Sequence, residues 1–317
     1  MSEMKACFFF LRCHMQKVIH NVSELTFLID SVPAMPLATK VMMVNPVYFN
    51  VDTPINAHMV KEDGSLHELD KNKAQDQWQN LKKAYENIGL NVFVVDPVEN
   101  LPDMVFCANQ SFPYLDACGN LHAVLSNMHN DIRNQEVPYI NSFLNAHQYQ
   151  THRIASRTEG YFFESMGDAL WIPERRFILG GYGFRTDKRV YEILSETTDA
   201  PVALFELTHP KFYHLDTCLS ILNKNTALVC KEAFTNEGWE LLSGIFSNLI
   251  EVPLNEADSP GFACNAHCPN GKHVIIQTGC KKTKSLLKSK GFEPIPVDTS
   301  EFIKSGGSVF CMKLMFF

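Results

Sequence analysis

Residues 177–187, Phe177-Ile-Leu-Gly-Gly-Tyr-Gly-Phe-Arg-Thr-Asp187, read as a short apolar strand, a glycine-rich turn and a polar start. The amphipathic stretch Val190 to Leu194 follows as a helix. About fifty residues on, the order returns: the strand Thr226-Ala-Leu-Val-Cys230, a polar link through Thr235-Asn236, and a helix with Trp239, Leu241, Leu242 and Ile245. It returns again in His273-Val-Ile-Ile276, Thr278-Gly279-Cys280 and the helix bearing Leu286 and Leu287. Working backwards, His122-Ala-Val-Leu125 precedes a helix over Asp131 to Phe143, and Val41-Met-Met-Val44 opens the first recognisable unit. Between these lies an extra helix, Lys73 to Ile88, feeding the strand Val92-Phe-Val-Val95. About five strand–turn–helix units result, none able to cover its own apolar face, so the economical architecture is one closed α/β ring. Residues 39–317 form that single domain, and residues 1–38 fall outside the pattern as an N-terminal extension.

Composition narrows the function. The chain has 317 residues with 28 Lys+Arg against 35 Asp+Glu, a formal net charge of −7, and no basic stripe, which argues against nucleic acid as a partner. No apolar run approaches the ~18 residues that span a bilayer, and Ala6 to Leu11 is too short for a secretory core, so no membrane partner is expected. The 10 cysteines are scattered, which suits small buried side chains in a reducing, cytoplasmic setting. The cluster Cys264-Asn-Ala-His267-Cys268 lacks the second pair that announces zinc, so neither metal nor cofactor is expected.

Four segments break the bland pattern. Asp103-Met-Val-Phe106-Cys-Ala-Asn109 puts an acid and an amide at the two ends of a short apolar strand. Glu164-Ser-Met-Gly167-Asp168 sets two carboxylates around a glycine in an apolar context, where burial demands a partner. His214-Leu-Asp216, read as strand, turns imidazole and carboxylate to one face. In the tail, Gly306-Gly307-Ser-Val-Phe-Cys311 ends the last apolar strand on a cysteine. Cysteine, histidine and carboxylates are the parts of a thiol nucleophile. So many acids without a metal cluster fit a cationic substrate rich in N–H donors, best a guanidinium. Arg185 then remains for a substrate carboxylate, and the implied ligand is arginine-like.

From about residue 40 to the last residues, this set resembles the guanidino-group-modifying enzymes of the pentein fold, a ring of five ββαβ units. Its members are arginine deiminases, dimethylarginine dimethylaminohydrolases, amidinotransferases and arginine dihydrolases. The resemblance implies that Cys311 attacks the guanidinium carbon to give a thiouronium-type intermediate. It implies that His214 is first general acid and then base, and that Glu164 completes the set and holds the guanidinium. Asp103 and Asp216 would contact guanidino or α-amino N–H groups, and Arg185 would clamp the α-carboxylate. Asn56, in the segment Val44-Asn-Pro46 to Ile55-Asn56, falls in what resembles the substrate-covering loop. Asp168, beside Gly167, ranks as structural.

Two departures bear on the reaction. Deiminases and dimethylarginine hydrolases carry an acid where this chain has Asn109, as the arginine dihydrolases do not. The spacer from Glu164 to Asp168 is one residue longer than in typical deiminases, with Met166 and Gln110 also unusual. The leading expectation is a dihydrolase acting on free L-arginine to give ornithine, ammonia and carbon dioxide. A deiminase, a hydrolase of methylated arginine, an amidinotransferase, an enzyme acting on arginine side chains of proteins and a ring-shaped scaffold remain open. So does a homo-oligomeric state.

Overall fold

The computed structural model describes residues 17–317, so the part of the expected extension before residue 17 lies outside the described residues. The strands group into five small, separate sheets, and among the described residues no sheet closes on itself. The recurring plan is an antiparallel pair followed, after a helix, by a parallel strand. Ser111–Leu115 pairs antiparallel with Leu121–Leu125, which pairs parallel with Gln150–Arg153. Ala169–Trp171, Ile178–Tyr182 and Val202–Glu206 repeat that order, as do Leu219–Asn223, Thr226–Val229 and Asn248–Glu251. In the sheet of His273–Gln277 and Glu293–Val297 the antiparallel member shrinks to the bridge between His267 and Ile275.

The remaining sheet joins segments far apart in sequence. Lys40–Val44 pairs parallel with Asn91–Val95 and antiparallel with Leu314–Phe316, Met42 standing opposite both Phe93 and Leu314. The helix expected as an extra element is the crossover of this unit, Lys71–Asn87. Asp70 caps it by accepting from the Lys73 amide, and Ala74, Trp78, Leu81 and Tyr85 fall on its buried face. Gly89, at φ +87°, turns the chain out of it into the next strand. In the next unit, the continuous helix expected over Asp131 to Phe143 is instead broken into Asp131–Asn134 and Val137–Ala146. Pro138, which has no N–H to carry a helix through, starts the second piece.

Within residues 17–38, two segments pair with the chain around the sheet of Ala169–Trp171, Ile178–Tyr182 and Val202–Glu206. Val18–Ile19 adds a parallel strand beside Val202 and Ala203, and Ala34 bridges to Arg175. Among the described residues no helix is long and apolar enough to cross a membrane.

The plan has one consequence for chemistry. The segment entering the first strand of each unit carries the unusual polar residues: Asp103 and Asn109, Glu164 and Asp168, His214 and Asp216, Asn265, and Cys311. The antiparallel pairing of Leu314–Phe316 with Lys40–Val44 holds Cys311 near the other four.

Candidate active site

Three local expectations about these segments change. Pro102–Val105 is a 3₁₀ turn and Phe106–Asn109 is loop, because the carbonyls of Asp103 and Phe106 are taken by Nη2 of Arg133, at 3.3 and 2.8 Å, not by a strand. His214 is extended, but Leu215–Cys218 is a helical turn, so His214 and Asp216 do not share a strand face. Asp168 Oδ1 accepts from the Leu215 amide (3.0 Å) and Thr217 Oγ1 donates to the His214 carbonyl (2.6 Å), which stabilises that turn. Cys311 does not end a strand. It sits in turns that precede Leu314–Phe316.

Asn56, Asp103, Asn109, Arg185, His214 and Cys311 line one cleft. Glu164 and Asp216 stand behind two of them. Glu164 Oε2 lies 2.7 Å from His214 Nε2, and Asp216 Oδ2 lies 3.2 Å from Cys311 Sγ. Arg185 Nη1 donates to Glu164 Oε2 at 3.4 Å, its guanidinium stacks 4.9 Å over the Tyr213 ring, and Nη2 donates to the Ile55 carbonyl. Asn56 donates to the Ser305 carbonyl (2.9 Å) and accepts from the His58 amide, fastening its loop to the tail glycines.

Burial opposes charge on Glu164, yet Arg185 and the His214 hydrogen bond hold it well below the usual carboxylate range. Asp216 behaves oppositely: burial raises it to about 7 despite the thiol and Lys313. Burial, and then Asp216, push the Cys311 thiol well above its ordinary value, so the resting sulfur is an S–H donating to Asp216. Asp103 is also raised by burial, and its Oδ1 accepts from Ser305 Oγ at 3.1 Å. Neither Asp103 nor Asp216 forms an ion pair among the described residues. By contrast Arg133 is paired with Glu136 and Arg185 with Glu164. Two carboxylates without a resident cation suit a cationic ligand.

Sequence reading missed two members. Asn265 is fully buried; its Oδ1 accepts from the amides of Ser308, Phe310 and Cys311 at 3.1, 3.1 and 3.3 Å. Its Nδ2 donates to Cys311 Sγ at 3.1 Å and to the Asp216 carbonyl at 2.9 Å. The signal was its place in the repeat, entering the fifth unit as Asp216 enters the fourth. Arg133 was hidden in an amphipathic stretch. Its Nη1 donates to Asn109 Oδ1 at 3.2 Å. An arginine has only donors, so this bond fixes the amide: the NH₂ of Asn109 faces away from Arg133, buried and without a partner. Gly167 allows that fit, since a Cβ there would lie 2.2 Å from Asn109 Nδ2 and 3.2 Å from the His214 ring.

A buried thiol against a carboxylate, a histidine–glutamate pair and acids awaiting a cation make a set suited to cleaving C–N bonds of amidines. Comparison with known proteins agrees. Residues 45–317 match the family described as eukaryotic N,N-dimethylarginine dimethylhydrolase, and the chain belongs to that family. It is 34% identical over 279 residues to the N(G),N(G)-dimethylarginine dimethylaminohydrolase of Mycobacterium tuberculosis, covering 88% of this chain and 86% of that protein. It is 30% identical to the bifunctional arginine dihydrolase/ornithine cyclodeaminase AgrE of Nostoc, covering 86% of this chain but 37% of AgrE. The substrate-bound N-terminal domain of ArgZ, a cyanobacterial arginine dihydrolase, superposes with a TM-score of 0.79 at 27% identity, over 87% of this chain and 97% of that domain. The chain thus has a mixed α/β fold shared with ArgZ and is a hydrolase of the guanidino group.

Proposed function

We propose that this enzyme is an arginine dihydrolase, converting free L-arginine to ornithine, two ammonia and carbon dioxide. The observation that carries the choice is the unpartnered NH₂ of Asn109 in the cleft wall, fixed by Arg133. A carboxylate there would serve only the guanidinium's N–H groups. A donor serves a carbonyl, and the neutral ureido group left after the first hydrolysis offers one. Retained by Asn109, that intermediate meets the same thiol again.

The reaction then follows from the contacts. Asp103 and Asp216 bind the guanidinium N–H groups. As Cys311 Sγ bonds to the guanidinium carbon, its proton passes to Asp216 Oδ2, 3.2 Å away and near neutrality in its affinity for protons. Asn265 Nδ2, at 3.1 Å, supports the negative sulfur. His214 protonates the departing ammonia and then takes a proton from the attacking water. Its Nε2 is committed to Glu164, so transfer falls to Nδ1. The ureido product re-enters the cycle, loses the second ammonia to leave a thiocarbamate on Cys311, and hydrolysis releases a carbamate that decarboxylates. Arg185, with N–H groups left beyond those given to Glu164 and Ile55, clamps the α-carboxylate, and Asn56 holds the covering loop. The five sheets form a ring about this cleft, a reading supported by the pairing of the last strand with Lys40–Val44.

The family match over residues 45–317 favours a second reading, hydrolysis of N,N-dimethylarginine to citrulline and dimethylamine. Amino-acid analysis after incubation with each substrate, beside Cys311→Ser, separates them. Ornithine with two ammonia per arginine is expected from the intact enzyme and nothing from the variant. Citrulline and dimethylamine from the methylated substrate alone would replace the first reading by the second.

A further inference from the structure

Two residues beyond Cys311, Lys313 is fully buried, and its Nζ has no hydrogen-bond partner. The nitrogen lies 3.1 Å above the centre of the Phe310 ring. A buried ammonium without an acceptor is costly, and an aromatic face returns only part of that cost. The proton transfers above do not pass through this group, although its charge acts on Asp216.

Lys313 lines a second cavity, which shares no lining residue with the catalytic cleft. Its walls are mainly apolar, with Met35, Leu170, Ile172, Ile221 and Met315 among them. The other buried polar side chain on the wall is His267, whose Nδ1 lies 3.1 Å from the Tyr85 hydroxyl, while the acidic Glu174 is exposed at the edge. A potential cation in the wall of an apolar chamber is half of a recognition site. Its complement is an anion carrying an apolar body.

We propose that this cavity binds a small carboxylate with an apolar tail, its carboxylate paired with Lys313 Nζ and its tail against Met35, Leu170 and Ile172. Burial lowers Lys313 to about 7 against the opposing pull of Asp216, Cys107 and Cys311, so a bound anion would also settle whether the amine keeps its proton.

Isothermal titration calorimetry of the full chain with octanoate, 1-octanol and octylammonium tests this. Octanoate is expected to bind once per chain, about tenfold or more tighter than 1-octanol, with octylammonium weaker still. Lys313→Met, which keeps an unbranched side chain one atom shorter and removes the charge, should erase the preference for octanoate over 1-octanol. Ala38→Trp, which puts an indole into the cavity, should block both. No binding of octanoate to the folded chain, equal affinity for 1-octanol, or octanoate affinity unchanged in both variants would overturn the proposal. If Lys313→Met does not fold, the octanoate-to-octanol ratio and Ala38→Trp decide alone.

Discussion

Asp216 Oδ2 lies 3.2 Å from Cys311 Sγ, and the buried thiol donates to the buried carboxylate. The negative carboxylate is a main reason, after burial, that the thiol resists ionisation. Asp216→Asn removes that charge, so the thiol's affinity for its proton must fall. In the free enzyme at pH 8, iodoacetamide labelling of Cys311, followed by peptide mass spectrometry, is expected to speed up. Turnover should nevertheless drop about 100-fold, because the acceptor of the S–H proton is gone. Burial raises Asp216 to about 7, so kcat/KM of the wild type should climb with pH through that value, and the climb should vanish in the variant. Slower labelling of Asp216→Asn would show that the carboxylate activates the resting thiol and does not restrain it.

Asn109→Asp tests the donor argument. The new carboxylate keeps the bond to Arg133 but presents an acceptor where the NH₂ stood. Citrulline should accumulate in place of ornithine, and added citrulline should no longer be consumed. An unchanged ornithine yield would remove Asn109 from the second cycle. Gly167→Ala approaches the same atom sterically, since its methyl would meet Asn109 Nδ2 at 2.2 Å. It should lower both cycles together, with a rise in KM for arginine.

Much of this was legible because the chain repeats a plan. Strand, turn and helix recur at near-constant spacing, and apolar periodicity reports such units well. Failures cluster in the segments that enter each unit's first strand. There the backbone bonds to side chains instead of to a sheet: Arg133 takes the Asp103 and Phe106 carbonyls, and Asp168 takes the Leu215 amide. Periodicity carries no record of such bonds, so strands were expected around Asn109 and His214 where loop and turn occur. Asn265 escaped for a related reason. Its work is done by one amide reaching across to residues more than forty positions away, and the segment Cys264 to Cys268 was weighed only as a metal cluster and set aside.

Glu164 supplies a pH signature of folding. Its folded-state affinity for a proton is below that of an exposed glutamate, so it stabilises the chain above the ordinary carboxylate range and loses that contribution as pH falls through it. Glu164→Gln should therefore unfold more easily in urea at pH 7. The gap to wild type should narrow as pH drops below about 4.5. Because His214 Nε2 and Arg185 lose their shared acceptor, kcat should fall 10²–10⁴-fold, in the range of a lost acid–base group. A gap that widens on acidification would contradict the assigned charge.

Asn265 offers the sharpest separation of positioning from chemistry. Its oxygen gathers the amides of Ser308, Phe310 and Cys311, and its nitrogen touches Cys311 Sγ and the Asp216 carbonyl. Asn265→Leu leaves these buried groups unpaired, at about 1–3 kcal/mol each, so the protein should melt lower as well as lose activity. Asn265→Asp keeps the acceptor for the amides and gives up the donor to sulfur, while adding a negative charge beside the thiol. Its folding should be nearer to wild type than that of the leucine variant, yet kcat should fall at least about 100-fold with KM little changed. Labelling of Cys311 in the aspartate variant should need a higher pH than in wild type, because the added charge disfavours thiolate. Equal activity losses in both variants, each in proportion to lost stability, would reduce Asn265 to a structural bracket for the turn.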